Sequence, residues 1–352
     1  MKARTVIVSL LAFALLWLFL RGTDLKLVWM HVQNANVTYV LAAIVFVPLT
    51  YITRAIRWHY LLLPVGPTRF RTAFRTTVIG FAALTLLPAR VGDILRPYLL
   101  ARQEGLDPPA TFATVVAERV LDLMAVLSLL AIFVWGFADP ATMPAAALAS
   151  VKVSATVASA ITVVLIGLMW VLATHPERIG SLVLAIGRVL PRRTAERLAQ
   201  AARVFSGGFA ASRKPRNFVL AVLWSFPVWL AIAAESWLVT RGFGMALPFT
   251  GSFLLQALLV IGVAVPTPAG VGSYHAAYRY GMTTFFGAAE NQAVAAAIVL
   301  HAISFFPVVI AGLIFMVQDG LSLGGLRDLA TEAREKELPH ADEVSILREP
   351  GR

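Results

Sequence analysis

Arg90, Asp93 and Arg96 stand three residues apart, a spacing that lines them along one face of a helix beginning near Val91. Glu118, Arg119 and Asp122 follow, and Glu118 and Asp122, one turn apart, share a face that an arginine from the preceding segment can meet. Farther on, Ser273, His275 and Arg279 follow a stretch rich in proline and glycine, with His275 and Arg279 again one turn apart. The planar guanidinium fork of Arg279 is suited to a phosphate, and paired acids are suited to an arginine or a cationic head group. In a chain that is 59% hydrophobic and 14% charged such groups need a reason, because charge in hydrocarbon costs several kcal/mol unless paired or hydrated. The first set is either a structural clamp or the polar wall of a head-group cavity. Arg279 either holds a lipid phosphate or reaches the outer interface beside Tyr278 and Tyr280. Glu235 and His301, in apolar surroundings, read as polar glue between helices.

Other chemistry is excluded or unsupported. No cysteine is present, which removes disulfides, thiolate metal sites and cysteine nucleophiles. The six histidines show no metal-ligand spacing, and no nucleotide-binding loop occurs. No catalytic residue, cofactor or metal is expected, and the reading is of a non-enzyme. The mean hydropathy of +0.77 excludes a water-soluble globule. Net charge is +11, which fits basic residues flanking membrane spans better than nucleic-acid binding.

The elements that must position these residues are membrane helices. Crossing about 30 Å of hydrocarbon takes about 20 mostly apolar residues. Six segments qualify, at 5–20, 37–53, 111–136, 153–174, 217–240 and 291–318. The first lacks a small-residue cleavage site and is expected to stay as an anchor. Two further apolar stretches, 76–103 and 248–287, are each broken midway, the first at Pro88 and Gly92, the second at Pro266, Pro268, Gly270 and Gly272. Proline removes a backbone donor and glycine permits a reversal, so each piece is a candidate re-entrant half-helix. The expected fold is therefore an all-α polytopic membrane protein with six full spans and two re-entrant broken-helix hairpins.

Loop charge orients it. With the N-terminus inside and both broken stretches re-entrant, five arginines in 54–75 and nine basic residues in 175–216 face the cytoplasm. The loop 138–150, without Lys or Arg, then faces outward. Arg54, Arg57 and Trp58, with Arg69, Arg71 and Arg75, read as a basic inner rim of interface anchors. Residues 179–209 alternate apolar and basic side chains, as surface-lying amphipathic helices do. A shift of 180 residues lays Pro88 on Pro268, Ala89 on Ala269, Val91 on Val271, Gly92 on Gly272 and Tyr98 on Tyr278. Units 37–137 and 217–317 thus read as repeats of inverted orientation, joined by span 153–174 and the loop 175–216 within a transmembrane domain of residues 1–320. A charged cytoplasmic tail, 321–352, follows.

Three patches carry a resemblance: Leu86 to Arg96, Val115 to Asp122 with its Glu-Arg-x-x-Asp, and Pro266 to Gly272. The sequence resembles the lysylphosphatidylglycerol synthase transmembrane-region family, also called flippase-like, over roughly residues 5–320. The resemblance implies a polytopic domain, and together with the loop charges the expectation is a bacterial-type inner-membrane protein with both termini cytoplasmic. It implies movement of an amphiphilic lipid between leaflets, or a non-catalytic subunit serving lipid-linked glycan or hopanoid synthesis. Expected partners are membrane lipids and a lipid-biosynthetic enzyme, with an oligomer compatible and no nucleic acid. The soluble aminoacyltransferase domain of full-length synthases is expected to be absent. Where many relatives carry Glu after the second glycine motif, His275 stands here, which favours an anionic or zwitterionic lipid over a strongly cationic one.

Overall fold

In a computed structural model, the structure describes residues 17, 19–87, 90–138, 145–174, 215–265, 267–322, 324–326 and 329. The expected first span, except for its last residues, the loop 175–214, most of the tail, and Pro88, Ala89 and Pro266 lie outside the described residues. The side chain of Pro268 does too, although its backbone is described.

Every described regular element is a helix. The order is α1 (Leu25–Gln33), α2 (Val37–Leu62), α3 (Phe70–Leu86), α4 (Val91–Glu104), α5 (Pro108–Gly136), α6 (Ala145–Thr174), α7 (Pro215–Gly242), α8 (Gly251–Ala264), a 3-10 turn at Pro268–Gly270, α9 (Ser273–Phe286) and α10 (Glu290–Gln318). Local chemistry sets several ends. Asp24 caps α1 by accepting from the amides of Lys26 and Leu27, Asn36 caps α2, and Asp107 caps α5 with Pro108 in its first turn. α4 and α9 stop at Gly105 and Gly287, both left-handed. α3 ends just before the first break, and Arg90 there takes φ 54, a cost for a residue with a Cβ. In the second break Ala269 takes φ 54 beside Gly270 and Gly272.

Among the described residues, four helices are long and apolar enough to cross a membrane: Val37–Leu62, Leu148–Leu165, Arg216–Gly242 and Glu290–Gln318. Apolar side chains on their outer faces match hydrocarbon. Val37, Leu41, Val45 and Leu49 on α2, and Phe306, Ile310 and Ile314 on α10, are exposed at one-turn spacing. α5, 29 residues long, reaches about 43 Å at ~1.5 Å per residue but carries Glu118, Arg119 and Asp122 and buries more of itself. α4, α8 and α9, at 14 residues each, span about 21 Å, short of the hydrocarbon thickness.

α2 and α7 pack along each other, α3 and α4 form one tight hairpin, and α8 and α9 form another. α10 lies on α3, α5 on α8, and α6 covers α5. Glycines let the hairpin limbs touch: a Cβ on Gly92 would lie 2.0 Å from the Gly80 carbonyl oxygen, and one on Gly262 2.9 Å from that of Ser273.

Two expected boundaries move. α2 runs to Leu62 rather than stopping near 53, so Arg54, Arg57 and Trp58 belong to a helix and not to a rim. α6 begins at Ala145 and takes in the end of the expected 138–150 loop. Both extensions follow sequence without a helix breaker, where hydropathy falls but helix propensity does not.

Candidate functional site

α4 and α5 present their charges to α2. Arg96 is buried, and its Nη1 donates to Glu118 Oε1 at 2.9 Å while its guanidinium lies over Trp58, 3.8 Å from the ring centroid. Arg57, 0% exposed, places Nη1 2.7 Å from Asp122 Oδ1 and Nη2 3.0 Å from Glu118 Oε1. Arg54 reaches Asp122 Oδ2 at 3.4 Å and Glu118 Oε1 at 3.9 Å, with its guanidinium over Phe81. From α7, Trp229 donates its indole N–H to Asp122 Oδ1 at 2.9 Å, and Ser225 lies 3.4 Å from Arg57 Nη1. Trp58 is held in turn by its indole N–H, which donates to Thr114 at 2.8 Å. At the margin Arg119 pairs with Asp93 and lies 3.7 Å from Asp122, and the more exposed Arg90 meets Asp93 at 3.3 Å.

The charges do not balance. Among the described residues of the buried centre, three arginines (54, 57, 96) face two acids (118, 122), a surplus of one. With Arg90, Arg119 and Asp93 the count is five against three, a surplus of two. Hydrogen bonding is also incomplete. Among the described residues, Nε and Nη2 of both Arg57 and Arg96, and Oε2 of Glu118, are buried and find no hydrogen-bond partner. Arg57 Nη2 is near enough to Glu118 for charge attraction but sits off the hydrogen-bond angle. Buried donors of this kind cost about 1–3 kcal/mol each when unmade, so a clamp built for stability alone would have used them. Surplus positive charge with free N–H groups suits an anionic oxygen ligand such as a phosphate.

The second-half residues do not join this cluster. Arg279 donates to the Phe19 carbonyl at 2.7 Å and to Glu290 at 3.1 Å, tying the N-terminal segment to α9 and α10. Tyr278 is buried, its hydroxyl 2.7 Å from Thr240, while Tyr280 is exposed. Ser273 hydroxyl donates to the Gly270 carbonyl at 3.3 Å, and the Gly272 amide donates to His275 Nδ1 at 3.3 Å, so both brace the break. His301 Nε2 lies 2.9 Å from the Ala269 carbonyl oxygen, and its ring is 4.6 Å from that of His275. Among the described residues no cluster of His, Asp and Glu could hold a metal ion.

Reading the sequence by itself gives the acids and Arg96 but places Arg54 and Arg57 at a rim and leaves out Trp229 and Ser225. One signal was available for the arginines: the apolar pattern continues through Leu61, Leu62 and Leu63, with no breaker before Pro64 and Gly66. None pointed from Trp229 to Asp122, 107 positions away.

Residues 5–312 match the family described as lysylphosphatidylglycerol synthase TM region. The chain is 26% identical to the glycosyltransferase AglD of Haloferax volcanii over 364 aligned positions, covering 96% of this chain and 57% of that protein. It is 29% identical over 107 positions to the UPF0104 membrane protein MJ1595 of Methanocaldococcus jannaschii, 30% of this chain and 32% of that one. The chain thus spans just over half the length of the first of these curated relatives.

Proposed function

The chain belongs to the lysylphosphatidylglycerol synthase transmembrane-region family and is a multi-pass membrane protein, and on that premise we propose that it is a lipid translocase, moving the head group of an anionic or zwitterionic amphiphile between leaflets. The observation that carries this reading is the arginine surplus with its unspent donors, which suits a phosphate on a phospholipid or polyprenyl carrier. In this reading the chain makes and breaks no covalent bond.

The mechanism also needs two half-units of opposite orientation. Six spans with two re-entrant hairpins in inverted repeats are proposed, and element spacing supports them. α7, α8, α9 and α10 begin 178, 181, 182 and 182 residues after α2, α3, α4 and α5. Packing supports them too: exchanging the two sets maps each contact within and between them onto another contact, α3 with α10 onto α8 with α5, and α2 with α7 onto itself. Broken helices near the bilayer midplane can turn backbone dipoles toward a ligand, and at the second break such groups are held by His301, Ser273 and His275, whose release would free them. The positive-inside rule would put both termini and the loop 175–216 in the cytoplasm.

A second reading is favoured by similarity to a protein named as a glycosyltransferase along 96% of this chain. There the chain is the membrane part of a glycan-assembling system that holds a lipid for an enzyme, with which it would co-purify.

Proteoliposomes decide between them. Vesicles holding the purified chain should expose inner-leaflet reporter lipid faster than empty vesicles, with anionic head groups favoured. Arg54→Gln, which removes a cation from the cluster's edge, should slow the anionic reporter more than a neutral one. Rates equal to empty vesicles for every head group would overturn the translocase reading and favour the glycan-assembly one.

A further inference from the structure

The second half hides a different kind of group. Glu235, in α7, is 4% exposed, and its Oε1 accepts a 2.6 Å hydrogen bond from the Ser304 hydroxyl on α10. Among the described residues no Arg, Lys or His nitrogen lies within ion-pair distance of its carboxyl group, in contrast to Glu118 and Asp122.

The helices packed against α7 supply these polar and titratable neighbours. α2 brings Tyr51 and Arg54, which lie near each other. The charge of Arg54 is already directed at Asp122 and Glu118. α5 brings Asp122, which α7 meets through Trp229, well before Glu235 along that helix. From α8, Gln256 donates to Ser236 at 2.8 Å rather than to Glu235. α9 brings Tyr274, with His275 beside it, and α10 brings His301 together with Ser304. Tyr274 lies within electrostatic reach of both Glu235 and Ser304, and its ring is 5.3 Å from His301.

A lone carboxylate in such surroundings costs several kcal/mol, whereas the neutral acid keeps the serine hydrogen bond and avoids most of that cost. The site is also mechanically tied to the break. His301, one turn before Ser304 on α10, holds the Ala269 carbonyl oxygen, and Ala269 is the left-handed residue at the break itself. Opening the α8 and α9 hairpin against α10 would therefore disturb the groups around Glu235 and admit water to it.

We propose that Glu235, with Ser304 and Tyr274 beside it and with His301 and His275 beyond Tyr274, is a proton-binding site that loads and unloads as the second hairpin moves. On unloading, the O–H bond of the acid breaks and water takes the proton as hydronium, leaving the carboxylate; loading reverses the step. The coupling of this proton to lipid movement rests on the translocase reading, but the site itself does not.

Infrared difference spectra of the full chain in lipid, recorded across a pH step, test the site. The wild type should show the carbonyl stretch of a protonated carboxylic acid, and Glu235→Gln should remove it. A band that survives Glu235→Gln overturns the proposal, as does the lack of any such band. If that variant fails to fold, Ser304→Ala must shift the band by removing its hydrogen-bond donor, and an unmoved band overturns the assignment. In proteoliposomes an imposed proton gradient should speed lipid exposure by the wild type, and the gradient-dependent part should be lost in Glu235→Gln. Gradient dependence retained by Glu235→Gln overturns the coupling. Vesicles in which the wild type moves no lipid would instead sink the translocase reading, while the infrared band still decides the proton site.

Discussion

Glu118→Gln keeps the shape of a fully buried side chain and removes one negative charge from between Arg96 at 2.9 Å and Arg57 at 3.0 Å. At an effective dielectric of ~20, each such pair is worth about 5–6 kcal/mol of Coulomb energy. Much of this is offset because the amide escapes the desolvation that the carboxylate suffers, and breaking a buried pair from one side costs about 3–5 kcal/mol in practice. The arithmetic of charge points the same way: the centre goes from three cations against two anions to three against one. Arg96→Met combined with Glu118→Gln returns it to two against one, the original surplus, with the methionine left on the Trp58 ring. The expected result in thermal or denaturant unfolding of purified protein is a loss of about 3–5 kcal/mol for the single change, more than half of it recovered in the double. A single variant within about 0.5 kcal/mol of wild type would refute the reasoning, since it would mean that water already screens these charges.

Gly92→Ala should abolish folded protein, because its Cβ would fall 2.0 Å from the Gly80 carbonyl oxygen, whereas Gly136→Ala, with no atom within 4 Å, should express normally; comparable yields on fluorescence-detected gel filtration would contradict the tight hairpin. Arg75→Ala removes contacts to Asp319 at 2.5 Å and Gln318 at 2.9 Å, partly exposed, and should cost about 1–2 kcal/mol, read as a lower melting temperature. An unchanged melting temperature would show that contact to be solvated. With no native cysteine in the way, Ala145→Cys should react with an impermeant thiol reagent from outside and Ala195→Cys should not; outside labelling at 195 would overturn the re-entrant topology.

Much of the scaffold is decided locally and was legible in the sequence. Apolar runs, Asp24, Asn36 and Asp107 at helix starts, and Gly105 and Gly287 at helix ends act within a turn or two of themselves, so they can be read without knowing the fold. The second break is likewise local, with glycines at Gly270 and Gly272 where the backbone turns left-handed. The acids of the first cluster were legible as well, because Glu118 and Asp122 share one helix. Their partners were not. Arg57 lies 65 residues from Asp122, Trp229 lies 107 from it, and Glu235 meets Ser304 across 69. A guanidinium at the end of an apolar run looks the same in sequence whether it snorkels to water or turns inward. The choice is made by a carboxylate on another helix, because in a low-dielectric interior the nearest opposite charge outweighs any local preference. Only the packing of α2 between α5 and α7 brings that carboxylate within reach, and only the packing of α7 on α10 sets Glu235 against the Ser304 hydroxyl.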